Sequence, residues 1–395
     1  MRTLLILRRL FLAVALMSGA LAVPQTTYAS TPFALAPGEN QFTVGPNSTC
    51  AIDTNHHLYC WGDNSGGTLG LKASVKFSQT PRRVGTGKWR SVHGDVTVCG
   101  IKWDYSVWCW GHSGAIGLSA NDKYNSVRLT PQLIPTRAAV SVERVHPNLG
   151  LCIRDRKLQL WCRLDPDSFF YSGWRLISGA PVREASYIRD GEMCFLTTTN
   201  AMRCWGKNLL GIFPTGAGTP VFVKSPRIAA GTYRSLFTYG QGSCALATDG
   251  FQKCWGKTPP GYPRTVPIRA GENWLNEHGV PCTDGLCVIT PTTIEEVQWK
   301  SLWADQCGTL LDGEVSCLHE IEYVATRGTT VATLTLSDPF TDVKLGTSVG
   351  CGSKQDRTLW CWGLQDFSTD SVSGPRTFGV DASDYTLVPY QVTLP

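Results

Sequence analysis

The feature that most constrains this chain is a pair of cysteines, with nine residues between them, that recurs along its length. The first copy runs from Cys50 to Cys60 and is followed by Trp61-Gly62. Six further copies keep the cysteine spacing: Cys99 and Cys109, Cys152 and Cys162, Cys194 and Cys204, Cys244 and Cys254, Cys307 and Cys317, Cys351 and Cys361. Their mean period of about fifty residues indicates a repeat architecture, in which each copy buries its apolar surface against its neighbours.

Each repeat is predicted to hold four short strands. Asp249-Gly250, between Cys244 and Cys254, is a strong signal for a tight turn because glycine tolerates positive φ. The chain therefore folds back, and the two cysteines of a pair meet across a hairpin. A segment opened by proline, such as residues 81–84, and an apolar segment before the next cysteine, such as residues 89–94, add two strands. Four strands per repeat at this period indicate a β-propeller.

The sixteen cysteines form eight close pairs, of which the eighth is Cys282 and Cys287. Residues 1–29 have the form of a signal peptide, with a basic start, an apolar run and cleavage sites after Ala22 or Ala29. An uncleaved anchor is the alternative, although the run is short for a membrane span. We therefore expect a secreted or periplasmic protein whose cysteines are all disulfide-bonded, rather than a zinc protein.

The form Cys-Ala-Leu-x-x-Asp-Gly-x-x-x-Cys-Trp-Gly, found from Cys244 to Gly256, resembles the repeat of the regulator of chromosome condensation family. Residues 50–64 match it nearly as well. The resemblance covers almost all of the chain after the signal peptide, and it implies a propeller that usually has seven blades. The repeat is specific for the fold and says little about function, because similar propellers serve as exchange factors, enzyme inhibitors and interaction domains.

The predicted fold is therefore all-β: a seven-bladed propeller of four-stranded blades, formed by residues 31–395 as one domain. Residues 387–392 look like the proline segment of the other repeats, so we expect the N- and C-terminal segments to pair and close the ring. Residues 262–298 form a shortened repeat around Cys282 and Cys287. That repeat is either an eighth blade or an insertion. The tryptophans of the Trp-Gly pairs are predicted to pack between blades.

No catalytic motif is present, so no catalytic residue, metal or cofactor is predicted. The scattered carboxylates would meet only at a propeller axis, which makes an axial active site the least favoured interpretation. His56-His57 is interpreted as an exposed polar turn rather than a metal site. Removing residues 1–30, which hold three arginines and no acidic residue, lowers the formal net charge from +5 to +2. Such a chain lacks the broad positive potential on which nucleic-acid binding depends.

The candidate binding residues are Phe169, Phe170, Tyr171 and Trp174, which crowd into one excursion after Cys162. Aromatic side chains favour the centres of interfaces, although these four could instead form a strand or cap a neighbouring blade. We predict a monomeric exported module, not inserted in a membrane, that binds a protein or glycan partner. The alternatives are guanine-nucleotide exchange on a small GTPase, which the resemblance implies, and inhibition of an extracellular enzyme.

Overall fold

Strands are the regular elements throughout the described part of the chain, as the sequence predicts. The computed structural model describes residues 31–112, 127–146, 150–164, 173–189, 192–207, 222–239, 242–257, 287–302, 307–311, 315–317, 322–324, 331–333, 340–346, 349–365, 376–378 and 389–394. The predicted signal peptide and Cys282 lie outside these residues. In the described ranges, no helix is long and apolar enough to cross a membrane.

The first three repeats form three separate four-stranded antiparallel sheets, each with its strands in chain order. The strands are β1 Phe42–Val44, β2 Ser48–Ile52, β3 Leu58–Asp63 and β4 Phe77–Arg83; β5 Trp89–Gly94, β6 Thr97–Lys102, β7 Val107–His112 and β8 Val127–Ile134; β9 Ala139–His146, β10 Gly150–Asp155, β11 Leu160–Leu164 and β12 Gly173–Ser178. We call the first strand of each sheet its inner strand and the fourth its outer strand. Burial follows this order: β2 is buried at every residue, whereas most of β4 faces solvent.

The fourth to sixth repeats join into one nine-stranded run, because two long strands each serve two repeats. The strands are β13 Val182–Arg189, β14 Glu192–Thr197, β15 Ala201–Lys207, β16 Phe222–Tyr239, β17 Gly242–Ala247, β18 Phe251–Lys257, β19 Cys287–Leu302, β20 Cys307–Leu310 and β21 Val315–Cys317. The first part of β16 pairs with β15 as an outer strand, and residues from Tyr233 onward pair with β17 as an inner strand. β19 is divided in the same way between β18 and β20. Cys287 therefore opens the outer strand of the fifth repeat, and the number of blades stays a prediction.

The last sheet brings the two ends of the chain together. Its strands are β24 Phe340–Leu345, β25 Val349–Lys354, β26 Leu359–Gln365, β27 Arg376–Phe378 and β28 Tyr390–Gln391, and a separate hairpin, β22 Glu322–Val324 with β23 Val331–Thr333, precedes it. β28 pairs with β26, and the N–H of Phe33 donates to the carbonyl of Val392 at 2.7 Å. Phe33, Val44 and Val392 share one core cluster with Val349 and Leu359. The predicted closure by N- and C-terminal segments is confirmed.

The prolines of the repeats were expected at the start of a strand or at an outer edge of a sheet. The second alternative holds, because Pro81 is the fifth residue of β4 and Pro131 is the fifth residue of β8. Both strands lie at the rim of their sheets, and the register of each shifts beside the proline. A missing N–H does little harm at such an edge position, so the strand continues through the proline.

Disulfides join the two middle strands of the repeats. In the first hairpin Cys50 lies directly opposite Cys60, and the same register recurs in the other pairs. Among the described residues six bonds are formed, each with its Cα atoms 4.0–4.1 Å apart: Cys50–Cys60, Cys99–Cys109, Cys152–Cys162, Cys194–Cys204, Cys244–Cys254 and Cys351–Cys361. Cys307 and Cys317 also lie directly opposite each other. Directly opposed positions of antiparallel strands come close enough for such a bond.

Four of the Trp-Gly tryptophans pack against the sheet that precedes their own, as predicted. Trp110 is fully buried and shares a core cluster with Cys50 and Cys60 of the preceding sheet. Its indole N–H donates to the carbonyl of Thr68 at 2.8 Å. Trp205 packs in the same way with Cys152 and Cys162. Trp255 packs with Cys194 and Cys204, and Trp61 with Cys351 and Cys361.

The glycine after the tryptophan is required for a steric reason. Gly62 has φ of 104°, and a Cβ at this position would lie 2.3 Å from the carbonyl oxygen of Asn47. Gly111 has φ of 91°, and its Cβ would lie 2.5 Å from the carbonyl oxygen of Val96. Only glycine allows both this φ and the close approach of the neighbouring turn.

Replacing a Trp-Gly tryptophan should weaken the contact between two sheets. We expect Trp110→Ala to lower the free energy of unfolding by about 3–5 kcal/mol, because a fully buried indole is replaced by a cavity. Trp103→Ala is the matched control, since Trp103 is 48% exposed, and a surface change of this kind costs about 0.5 kcal/mol or less. Guanidinium unfolding followed by circular dichroism measures both. Equal losses would contradict this account of packing between sheets.

Removing the C-terminal segment should open the ring. Deletion of residues 389–395 removes Val392, which is 2% exposed, and the hydrogen bonds to Phe33 and Leu359. We expect a loss of at least about 2 kcal/mol, since a buried valine alone contributes about that much. Deletion of Pro395 alone is the control. An unchanged melting temperature in the longer deletion would show that the ends do not hold the ring.

Candidate functional site

The hairpin turns between the second and third strands form a fixed platform, which we call the turn face: residues 53–57, 102–106, 155–159, 197–201, 247–251 and 354–358. One residue of every turn, six positions after the first cysteine, has φ between 60° and 90°: His56, Tyr105, Leu158, Asn200, Gly250 and Arg357. The carbonyl of each accepts an N–H at 2.8–3.0 Å, from Trp89, Ala139, Val182, Tyr233, Trp299 and Leu35 respectively. Each turn is therefore bonded to the segment that begins the next sheet.

Aspartates hold the same turns from within. Asp53 accepts hydrogen bonds from the N–H groups of Asn55 and His57, at 2.9 and 2.8 Å. Asp155 accepts equivalent bonds from Lys157 and Gln159. Both aspartates are buried. Side-chain oxygens that bond to the backbone in this way fix an Asx-type turn, so the side chains at the tips of the turns are presented from a rigid backbone.

The inner strands enclose a cavity of about 740 Å³ that opens at the turn face. Its wall includes Gln41, His93, Glu143, Glu184 and Asp342. The last four belong to the inner strands β5, β9, β13 and β24, and Gln41 directly precedes the inner strand β1. A second hollow of about 290 Å³ is lined by His93 and Glu143 again and by Lys344. The shared residues show that the two hollows are adjacent.

The ionisable groups of this cavity bond the inner strands to one another. The Glu143 carboxylate pairs with Arg154 and also accepts a hydrogen bond from the N–H of Ala185 at 3.1 Å. Glu184 accepts a bond from the N–H of Leu236 at 2.9 Å, and the Lys344 ammonium donates to the carbonyl of Phe42 at 2.7 Å. Glu143, Glu184 and Lys344 therefore each have a backbone partner on a neighbouring inner strand. Of the carboxylates singled out in the sequence, Asp63 and Asp249 do not line this cavity.

The protonation states in the cavity follow from burial. Burial raises the pKa of Glu184 to about 7, and the nearby negative charge of Glu143 adds to the effect, although the Leu236 N–H and two arginines oppose it. Burial also lowers the pKa of His93 to about 3, helped by the positive charges of Lys344 and Arg154. His93 is therefore neutral at physiological pH. Across the described residues, no group of three or more His, Cys, Asp or Glu is placed to hold a metal ion.

A second set of side chains lies at the turn face outside the cavity, and we call it the aromatic–arginine cluster: His56, Trp103, Tyr105 and Arg156 from the turns, with Arg90 from the start of β5. The His56 ring stands edge-on against the Trp103 ring, with their centroids 4.9 Å apart. The Arg90 guanidinium lies 4.9 Å from the Trp103 centroid and 4.5 Å from that of Tyr105. Arg156 lies 4.9 Å from the same Tyr105 ring. The cluster thus links the turns of three consecutive repeats.

The residues of this cluster were not predicted from the sequence, whose candidate binding residues lie in a different stretch. Phe169, Phe170 and Tyr171 lie outside the described residues, so their binding role stays a prediction. Trp174 is in β12, where its indole N–H donates to the carbonyl of Pro135 at 3.1 Å and its ring packs against a core cluster. His56 and His57 do lie at a turn, partly exposed, and His57 Nδ1 is 3.6 Å from Asp53.

A comparison of the turn positions would have indicated the cluster. Trp103 and Arg156 each lie four residues after the first cysteine of their repeat, whereas the first repeat has Thr54 there. A large side chain at a turn position that varies between repeats therefore indicates a candidate binding residue.

The comparison with protein families finds the regulator of chromosome condensation (RCC1) repeat at residues 40–68. This span covers β1, the first cysteine pair with its turn, and the first Trp-Gly. No curated protein matches the chain.

Solved structures resemble the chain over most of its length. Yeast RCC1 (Prp20), solved bound to Kap60, is 16% identical with a TM-score of 0.51, over 82% of this chain and 69% of Prp20. A second structure of Prp20p from Saccharomyces cerevisiae, described with its binding to Gsp1p and histones, gives 16% identity and a TM-score of 0.50, over 82% and 71%. Human WBSCR16 is 14% identical with a TM-score of 0.57, over 86% and 95%. Similarity at this level establishes the β-propeller fold and leaves the activity open.

The pH dependence of stability offers a test of the axial cavity. Because the pKa of Glu184 is raised from 4.5 to about 7, the folded state keeps a proton that the unfolded state releases between these values. The contribution of Glu184 to stability therefore falls as pH rises from about 4.5 to 7. His93 acts in the opposite direction: its lowered pKa makes the folded state lose stability as pH falls from about 6.5 toward 3.

Glu184→Gln separates the two effects. We expect the stability of the wild-type protein relative to this variant to fall by roughly 2 kcal/mol between pH 5 and pH 8. Denaturant unfolding at several pH values measures the difference. Glu39→Gln, which makes the same change from carboxylate to amide on the cavity wall, is the control variant. A wild-type slope that persists in Glu184→Gln would refute the assignment.

Proposed function

We infer that this disulfide-rich β-propeller, of the regulator of chromosome condensation repeat type, is an interaction module that binds a protein or glycan partner on its turn face. It catalyses no reaction itself. The observation that carries the proposal is the aromatic–arginine cluster, which places the 48%-exposed Trp103 and two arginines on a fixed platform.

The composition of the cluster supports a binding role. Trp, Tyr and Arg are the residues most enriched among those that dominate binding energy at protein interfaces. The carbonyl of His56 accepts the N–H of Trp89, and that of Tyr105 accepts the N–H of Ala139. Since both turns are fixed before any partner arrives, little conformational entropy is lost on binding.

The axial cavity favours binding over catalysis. A carboxylate that acts as a general acid or base must be free to reach its substrate. Glu143 uses one oxygen for Arg154 and the other for the N–H of Ala185. Glu184 bonds to the N–H of Leu236. These groups hold neighbouring inner strands together, which gives a structural reason for their burial.

The bonded cysteines support export. Six disulfides in the described residues require an oxidising compartment. In this proposal residues 1–29 are removed as a signal peptide, and the protein acts as a monomer, either secreted or periplasmic. The excursion with Phe169, Phe170 and Tyr171 would supply a second contact region.

Partner capture with matched variants tests the proposal. The purified protein is used as bait in culture medium, bound proteins and glycans are identified by mass spectrometry, and the affinity for the captured partner is then measured. Trp103→Ala should weaken that affinity at least about tenfold, as loss of a central interface residue does. Leu133→Ala is the control, because Leu133 is 52% exposed on the outer strand β8.

Two results would contradict the proposal. One is capture that Trp103→Ala and Leu133→Ala leave equally strong. The other is faster nucleotide release from a small GTPase on adding the protein under reducing conditions, which would favour the exchange activity implied by the resemblance. The binding of Prp20p to Gsp1p is the reason to include this second assay.

A further inference from the structure

We propose that the aromatic–arginine cluster binds a carboxylate-rich segment of a protein partner in an extended conformation. The inference rests on the proposed function and adds the chemistry of the partner. Two guanidinium groups, Arg90 and Arg156, would each take one carboxylate, and the exposed Trp103 ring would cover the apolar part of the segment.

The first support is uncompensated positive charge. In the part of the chain that the structure describes, neither Arg90 nor Arg156 forms an ion pair with an acidic side chain. The acidic residues of the same turns have other bonds: Asp53 and Asp155 are buried and accept backbone N–H groups. Asp104 is exposed, and it accepts the N–H and the hydroxyl of Ser106 at 3.0 and 2.5 Å.

The second support is the position of both guanidinium groups over one aromatic ring. Their central carbons lie 4.5 Å (Arg90) and 4.9 Å (Arg156) from the centroid of Tyr105. A contact with the face of an aromatic ring leaves the N–H groups of a guanidinium available for hydrogen bonds. These groups match the two oxygens of a carboxylate, and the resulting pair has two parallel hydrogen bonds. Tyr105 therefore brings two carboxylate-binding groups to one place before a ligand arrives.

The third support is the spacing. The two guanidinium carbons lie 4.5 and 4.9 Å from the centroid of the same Tyr105 ring, so they are at most 9.4 Å apart. Side chains two residues apart in an extended strand point to the same side and are separated by about 7 Å. Acidic residues at alternate positions of an extended segment would therefore reach both arginines together.

The test uses the whole protein and fluorescent peptides in an anisotropy titration. One peptide carries glutamates at alternate positions, a second carries the same number of glutamates in one consecutive block, and a third has glutamine in place of every glutamate. We expect the alternating peptide to bind most tightly and the glutamine peptide at least about tenfold more weakly. Raising the salt concentration should weaken binding, because the contacts lie at the surface.

Variants locate the binding. Arg90→Gln and Arg156→Gln should each lower the affinity about tenfold. Arg90→Lys should restore only part of it, since lysine keeps the charge but lacks the planar fork. Arg82→Gln is the matched control, because Arg82 is an exposed arginine on the outer strand β4. Circular dichroism and melting temperatures establish that all variants fold.

Several outcomes would overturn the proposal. Equal binding of the glutamate and glutamine peptides, or an equal loss in Arg82→Gln, would show that the two arginines are not a carboxylate site. Tighter binding of a sulfated oligosaccharide or a single-stranded oligonucleotide, lost in the same arginine variants, would assign the cluster to another class of partner. If captured partners depend on Trp103 while no acidic peptide binds, the proposed function stands and this inference fails.

Discussion

The contact on which the rest of the structure depends is the packing of a buried tryptophan against the disulfide hairpin of the preceding sheet. Trp110 lies with Cys50 and Cys60, and Trp205 lies with Cys152 and Cys162. A single repeat of this kind cannot bury its hydrophobic face alone, and stacking against its neighbours supplies the missing core. Each disulfide keeps the two middle strands together, and each indole then finds a fixed surface on which to pack. Stability in such an arrangement comes mainly from contacts between neighbours.

The polar side chains of the axis complete this design. Lys344 bonds to the backbone of Phe42, Glu184 to that of Leu236, and Glu143 to that of Ala185. Buried ionisable groups cost free energy unless they have partners, and here the partner is usually the main chain of the next inner strand. The polar contacts between inner strands and the tryptophan contacts thus have the same role, because both connect neighbouring sheets. The polar contacts lie around the central cavity, and the tryptophan contacts lie within the hydrophobic core.

The sequence predicted what repeats and could not predict what depends on contacts between repeats. The cysteine spacing and Asp249-Gly250 located the hairpins, and the Trp-Gly pairs indicated the packing between sheets. The positive φ of His56 and Tyr105 was not predictable, because positive φ is uncommon for residues other than glycine. It is imposed by the register of the bonded hairpin and by the carbonyl that must meet the next sheet. Strand limits near Pro81 were also misjudged, since a rim position tolerates the missing N–H.

The aromatic–arginine cluster combines a backbone that repeats along the chain with side-chain contacts between different repeats. His56 and Arg156 are a hundred residues apart in the chain, yet both contact side chains of the second turn. The backbone of that turn is fixed by bonds that recur in every described turn, whereas its exposed side chains differ from repeat to repeat. A ring of this kind keeps its shape through recurring positions, so the variable tip positions are free to change without loss of stability. Recognition is therefore expected where the repeats differ, on a backbone made rigid by what they share.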